Sequence, residues 1–283
     1  MAFVDDIMAE VREKYPEIDF PYARKEPIWY GRRQHHRAES KMGIIVDYKD
    51  EEHLAYVASD VSNRKYEILQ YEEIIWHAEK AMAKLEEYGT PTADIQLLQD
   101  GNKFIFELKF NECAPITIRE GQQVTPNIKI KSSHDGMWEP SFTGGAIVLV
   151  CTNGLTIGKS AFSDKKKHGL GLSISAMVEN MKIGMMEFAD ETGIWKHWAE
   201  RQLTAPDWVE IQEKLPFGKK QLPEVLALPM DGVGYSLNET TKGNVPPNLW
   251  DVAMASTQYL RDLDSPIVRM TKTDQVMNLL RKY

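Results

Sequence analysis

Residues 93–110 read ADIQLLQDGNKFIFELKF. Two β-prone runs are joined at Asp100-Gly101, a dipeptide that tolerates the positive φ angles of a hairpin turn. An antiparallel sheet is therefore the centre of the fold. Upstream, Tyr71 to Tyr88 places Ile74, Ile75, Ala78, Met82 and Leu85 on one helical face, and Gly89 and Pro91 end it. Short strands are expected at Met42 to Tyr48 and Leu54 to Ser59. Ala2 to Tyr15, with Phe3, Ile7, Met8 and Val11 at helical spacing, predicts an amphipathic helix stopped by Pro16. Between these, Pro21 to Arg37 reads as an irregular basic loop or arm carrying Trp29 and Tyr30.

Downstream of the hairpin, Val124 to Ser132 alternates imperfectly and Ala146 to Cys151 is continuously apolar, so both extend the sheet. The pattern then turns helical, in Leu172 to Phe188 and again in Ile194 to Leu203. Pro206, Pro216, Pro223 and Pro229 break the next stretch into short pieces. Asp231 to Asn248, rich in Gly, Pro and Asn, reads as a long surface loop or linker before two closing helices, Leu249 to Asp262 and Lys272 to Lys282. The expected class is α+β: an antiparallel sheet with a hairpin, flanked by helices, then a helical C-terminal region. The expected organisation is an α+β core with N-terminal helix and basic arm over 1–203 and a mostly helical region over 204–283.

With 42% hydrophobic and 27% charged residues, the chain has ordinary globular usage and enough length, 283 residues, for a sizeable core. Asp5 and Asp6 stand where a secretory signal carries lysines, and no apolar run approaches a membrane span. Cys113 and Cys151 are the only cysteines, which leaves no disulfide framework and suits a reducing compartment, the host cytoplasm. A net charge of -8 argues against a molecule coated in nucleic-acid-binding surface, but the charge is segmental. Tyr22 to Lys41 holds six basic residues against Glu26 and Glu39, and Lys159 to His168 holds four lysines against Asp164. Asp47 to Asp94 has twelve acids against five bases.

Ser132-Ser133-His134-Asp135-Gly136, then Val150-Cys151-Thr152-Asn153-Gly154-Leu155, then Lys167-His168-Gly169, resembles the core of a phage and plasmid protein family of unknown function. Val148 stands where members of that family commonly carry an arginine. The resemblance implies a mobile-element setting and no particular chemistry. The expected order of helix, hairpin, further strands and long helix is also similar to that of annealing proteins of the Red-beta, RecT and Erf type.

Two basic segments are candidates for contact with single-stranded DNA. Lys159, Lys165, Lys166, Lys167 and His168 form a loop after a buried strand, where positive charge meets phosphate. Arg24, Arg32, Arg33 and Arg37 accompany Trp29 and Tyr30, which offer platforms for unpaired bases. The plainer readings are a solvated lysine run and aromatics that anchor the arm to the core. A thiol enzyme would use Cys151 with His134 or His168 as base and Asp135 or Asn153 to orient it, but a cysteine ending an apolar strand usually packs as an inert hydrophobe. Metal-binding spacings such as CxxC or HExxH are absent. The expectation is a non-enzymatic phage or plasmid recombination protein that binds and anneals single-stranded DNA. It needs no cofactor or metal and has no membrane partner. It acts as a homo-oligomer through the Met177, Met181, Met185 and Met186 face. The alternatives are a thiol or metal enzyme around Cys151, His134 and His168, and a counter-defence interaction protein that works through the acidic stretch.

Overall fold

A computed structural model of the chain describes residues 2–30, 36–59, 68–85, 89–138, 140–148, 153–156, 174–231, 234–242 and 247–283. The chain is an α+β protein, with antiparallel strand hairpins and a helical C-terminal region. It divides into two compact units, each assembled from separated segments. The first comprises Met1–Leu108, Lys129–Phe142 and Ser163–Lys182; the second comprises Lys109–Ile128, Thr143–Phe162 and Ile183–Tyr283.

The first unit opens with α1 (Ala2–Lys14), whose Ile7, Met8 and Val11 are buried as their spacing requires. Burial of three such side chains removes apolar area from water at about 1.5–3 kcal/mol each. This helix packs on α2 (Tyr71–Met82), which buries Ile74, Ile75, Ala78 and Met82. Its first turn is closed by the Glu73 carboxylate, which accepts a hydrogen bond from the Gln70 N–H at 2.9 Å. The Gln70 side chain in turn accepts from Ala23 N at 3.1 Å and donates to Ala23 O at 2.7 Å, fixing the start of β1 (Tyr22–Tyr30) to the start of α2.

Arg12 reaches the fully buried Glu72 at 2.8 Å, yet the second carboxylate oxygen of Glu72 has no partner among the described residues. Burial raises the Glu72 pKa, against the pull of its own backbone hydrogen bond and of Arg12. A carboxyl whose folded pKa exceeds its unfolded one binds more protons when folded, so its charge costs stability as pH rises through the raised pKa. Glu72→Gln is therefore expected to raise stability more at pH 7 than below the ordinary carboxylate range, by urea titration at both pH values. Equal changes at the two would contradict this account.

The strands β1, β2 (His36–Tyr48) and β3 (Glu51–Ser59) form an antiparallel sheet in the order β1-β2-β3. Of the segment from Pro21 to Arg37, expected to be an irregular arm, residues 22–30 and 36–37 are ladder, and residues 31–35 lie outside the described residues. Ala23 pairs with Val46 and buries with Ile44, Val46 and Ala58, while its charged neighbours face outward. Lys49 and Asp50, both at positive φ, join β2 to β3.

A second sheet runs β4-β5-β7-β8-β9, with β6 also paired to β7. Its strands are β4 (Thr92–Leu98), β5 (Lys103–Lys109), β6 (Ile116–Arg119), β7 (Gln122–Ser133), β8 (Ser141–Val148) and β9 (Asn153–Thr156). The expected hairpin is β4-β5. The β6-β7 hairpin, turning at Gly121 with φ 77°, was not expected.

Two helical segments expected to be separate are one helix, α3 (Ile174–Glu200), which runs through Gly184 and Gly193. In the second unit its Phe188, Trp195 and Trp198 pack into a core with Trp250, Met254, Val276 and Leu280. Trp195 lies 6.0 Å from Trp250, centroid to centroid. Three further helices start on side-chain caps: Thr204 before α4 (Ala205–Lys214), Asn248 before α7 (Leu249–Arg261) and Ser265 before α8 (Pro266–Leu280). The α5 helix (Gln221–Ala227) lies between proline breaks. The expected linker 231–248 holds α6 (Leu237–Lys242), whose Leu237 is fully buried. No helix among the described residues is long and apolar enough to cross a membrane.

Candidate functional site

Two tight loops meet at the end of the second sheet, both within the first unit. The β4-β5 turn places Gln99, Asp100 and Gly101 at positive φ, closed by Asn102 N donating to Gln99 O at 3.1 Å. A Cβ on Gly101 would lie 2.9 Å from Pro21 Cβ and 3.0 Å from Tyr48 Cγ, so only glycine fits. The second loop is the motif Ser133-His134-Asp135-Gly136 with Met137 and Trp138. Ser133 Oγ accepts from Trp138 N at 2.9 Å and donates to Trp138 O at 3.2 Å, and Asp135 Oδ1 accepts from Met137 N at 2.9 Å. Gly136, at φ 70°, lies under the Tyr56 ring, where a Cβ would come within 3.2 Å of the ring atoms.

Asn102 ties the loops together. Its carbonyl accepts from His134 N at 2.9 Å and from the Tyr71 hydroxyl at 2.8 Å, and its side-chain oxygen lies 2.9 Å from His53 Nε2. The His134 ring, 1% exposed, stacks on Tyr71 at 4.1 Å, and Tyr71 stacks on Phe104 at 4.6 Å. Lys103 Nζ donates to Gln99 Oε1 at 2.6 Å and pairs with Asp135 Oδ2 at 3.1 Å. In the described residues, then, the motif's Ser133, His134, Asp135 and Gly136 act as a lock between two turns.

This placement bears on the thiol and metal alternatives. His134 is enclosed in an aromatic stack, and Asp135 is engaged by Lys103 and by the turn. Cys151 and His168, the candidate nucleophile and second base, lie outside the described residues. Among the described residues no cluster of three or more His, Cys, Asp or Glu side chains could hold a metal ion. The Cys113 thiol is pushed up in pKa, by burial first and by Glu112 second, the reverse of an activated nucleophile.

The basic candidates separate into three groups. Lys159, Lys165, Lys166, Lys167 and His168, together with Arg32 and Arg33, lie outside the described residues. Arg24 is taken up by Asp47, by Glu26 at 2.8 Å and by Glu52 at 3.0 Å, and these carboxylates hold its pKa above the ordinary arginine value. It is a cross-strand tie of the first sheet. The remaining residues stand on the outer part of the β1-β2 ladder, where Trp29 is 51% and Tyr30 59% exposed. Neither aromatic anchors the ladder to a core. Trp29 pairs across the strands with Arg37, and Tyr30 with His36, whose ring centroid is 5.4 Å from that of Tyr30. Arg37 is exposed opposite Trp29, and Lys25 and Lys41 are exposed nearer the body of the sheet.

Sequence reasoning missed His36 at this site. Its signal was available: it sits beside Arg37 in a run that reads as strand once pairing with Tyr22–Tyr30 is recognised. It also missed a second cationic group, Lys103 and Lys131, whose ammonium groups lie 5.3 and 5.7 Å from the Trp138 ring centre. The imperfect alternation of Lys129, Ile130 and Lys131 was its only trace, and Lys129 is paired with Glu107 at 3.4 Å.

The fold and these surfaces define an α+β protein with an exposed aromatic and basic β-ladder and a buried lock between two turns. The chain belongs to the family described as a domain of unknown function, DUF932, whose model matches residues 58–282. The lock motif falls inside the matched span, and the Trp29 and Tyr30 ladder precedes it. No curated protein and no solved structure matches the chain.

Proposed function

We propose that this is a phage or plasmid protein of the host cytoplasm that binds single-stranded DNA and promotes annealing, without catalysis and as a homo-oligomer. The observation that carries the reading is the outer β1-β2 ladder. There, two large aromatics are more than half exposed, Trp29 opposite Arg37 and Tyr30 opposite His36. An exposed aromatic is costly in water unless something covers it, and an unpaired base supplies a flat partner whose phosphate the adjacent cation can meet. Stacking contributes about 1–3 kcal/mol per base and tolerates any sequence, which suits annealing.

For self-association, the expected methionine face is reduced. Met181 and Met185 are buried in the protein's own core, and among the described side chains of α3 the exposed large apolar groups are Met186, 68% exposed, and Ile194. The Met177 side chain lies outside the described residues.

The test is binding of single-stranded and duplex DNA across a range of salt. Binding at micromolar concentration or tighter, preferring the single strand and weakening with salt, is expected. Replacing Lys165, Lys166 and Lys167 together by alanine is expected to shallow the slope of log affinity against log salt by about two units, at roughly 0.7 for each phosphate no longer neutralised. Replacing Lys219 and Lys220 by alanine controls for net charge and should do much less. No binding at low salt would end this reading; equal losses from both variants would mean that bulk charge governs binding.

A further inference from the structure

Successive residues on a β-strand point to opposite faces, and residues directly opposite each other on paired strands share a face. Trp29 and Tyr30 are consecutive, so their rings lie on opposite faces of the ladder. Arg37 shares the face of Trp29, and His36 shares that of Tyr30, as the 5.4 Å separation of the Tyr30 and His36 rings bears out. Each face therefore carries one aromatic platform and one nitrogen-bearing side chain across the strand from it.

These two pairs are also set apart from the rest of the sheet. Between the Pro27–Met42 pair and the Trp29–Arg37 pair, β1 has one residue, Ile28, while β2 has four, Ala38, Glu39, Ser40 and Lys41. An irregularity of this size bends and twists a ladder and re-aims the side chains beyond it. Beyond it both rings are more than half exposed, so neither face is closed by the body of the protein. A one-sided site would leave one of the two aromatics packed, as large aromatics in a sheet usually are.

We propose that the outer ladder is two-sided and holds two single strands at once. One is stacked on Trp29 with phosphate at Arg37, and the other is stacked on Tyr30 beside His36. This rests on the single-strand reading above and adds to it the number of strands per protomer. Annealing requires two strands to be brought together, and a two-sided ladder does so within one subunit.

The test is a stoichiometric titration of the full chain with an oligothymidine of about six nucleotides, near the short end of single-strand sites. Bound strands per protomer are counted by analytical ultracentrifugation, a ratio that does not depend on oligomer size. The wild type is expected to take two, Trp29→Ala and Tyr30→Ala one each, and the double variant none. Trp29→Phe and Tyr30→Phe should each restore two, because a phenyl ring still stacks. Both side chains are exposed, so the variants should keep the wild-type circular dichroism. No binding by the wild type would overturn the single-strand reading itself. Binding with one strand per wild-type protomer, or two in either alanine variant, would overturn the two-sided ladder alone.

Discussion

Replacing Arg119 by methionine is expected to destabilise the protein by about 3–5 kcal/mol, the cost of leaving a buried charge without its partner. In the second unit, Arg119 Nη1 lies 2.6 Å from Asp251 Oδ1, and the Asp251 side chain is 4% exposed. Arg119 Nε also donates to Gln122 Oε1 at 2.8 Å, the same oxygen that accepts from Trp250 Nε1 at 2.5 Å. Gln122 Nε2 donates to Asp231 O at 3.0 Å, so one arginine organises groups from β6, β7 and α7. Methionine fills the space but offers Asp251 nothing, and the Tyr235 hydroxyl, 3.5 Å away, is a poor replacement. Asp251→Asn in the same chain should recover much of the loss, since it removes the stranded charge. Urea midpoints of the single and double variants measure both effects. A loss below about 1 kcal/mol would show that Asp251 reaches water when Arg119 is gone.

Gly101→Val is expected to be nearly as damaging. The backbone there has φ 76°, which costs a residue with a side chain about 1–2 kcal/mol and a β-branched one more. The new Cβ would also sit 2.9 Å from Pro21 Cβ, adding an overpacking cost of about 1–3 kcal/mol. Gly193→Ala provides the contrast. Gly193 is inside α3, and a Cβ there would meet nothing within 4 Å, so alanine should stabilise by about 1 kcal/mol through helix propensity. Thermal unfolding of the two variants separates the cases. If Gly101→Val melts with the wild type, the turn does not hold the lock together.

What was legible in the sequence was local. The β4-β5 hairpin announces itself through Asp100-Gly101, and α2 through the spacing of Ile74, Ile75 and Ala78, because both signals lie within a few residues of what they specify. The α2 helix stops at Met82, short of the expected Gly89 end, although Leu85 is still buried. The β1 strand was hidden because its outward residues are charged. What makes it a strand is pairing with residues 36–47, a partner that composition does not reveal. The α3 helix read as two pieces because Gly193 interrupts the pattern. Burial of Phe188, Trp195 and Trp198 outweighs that local penalty.

The candidate site follows the same division. Asp135-Gly136 reads correctly as a turn, but the reasons for its residues are distant: Tyr56 above Gly136, and Lys103 beside Asp135. Arg24 looked like a contact for phosphate because the acids that claim it, Asp47 and Glu52, are more than twenty residues away in the chain. Trp29 and Tyr30 were readable as aromatics among cations. Their opposite facing required the register.

The interleaving of the two units constrains the order in which the protein can be made. The chain passes from one unit to the other five times, after residues 108, 128, 142, 162 and 182. During synthesis, neither unit has all its parts until residue 182 has emerged. By then the second unit exists only as residues 109–128 and 143–162, without the helices of residues 183–283. Those segments include Ile118 and Val124, which the finished protein buries, so a nascent chain halted near residue 182 exposes them. A truncation series would meet no early stopping point that yields a complete unit. A single protease cut between residues 109 and 182 would leave neither unit whole on one fragment.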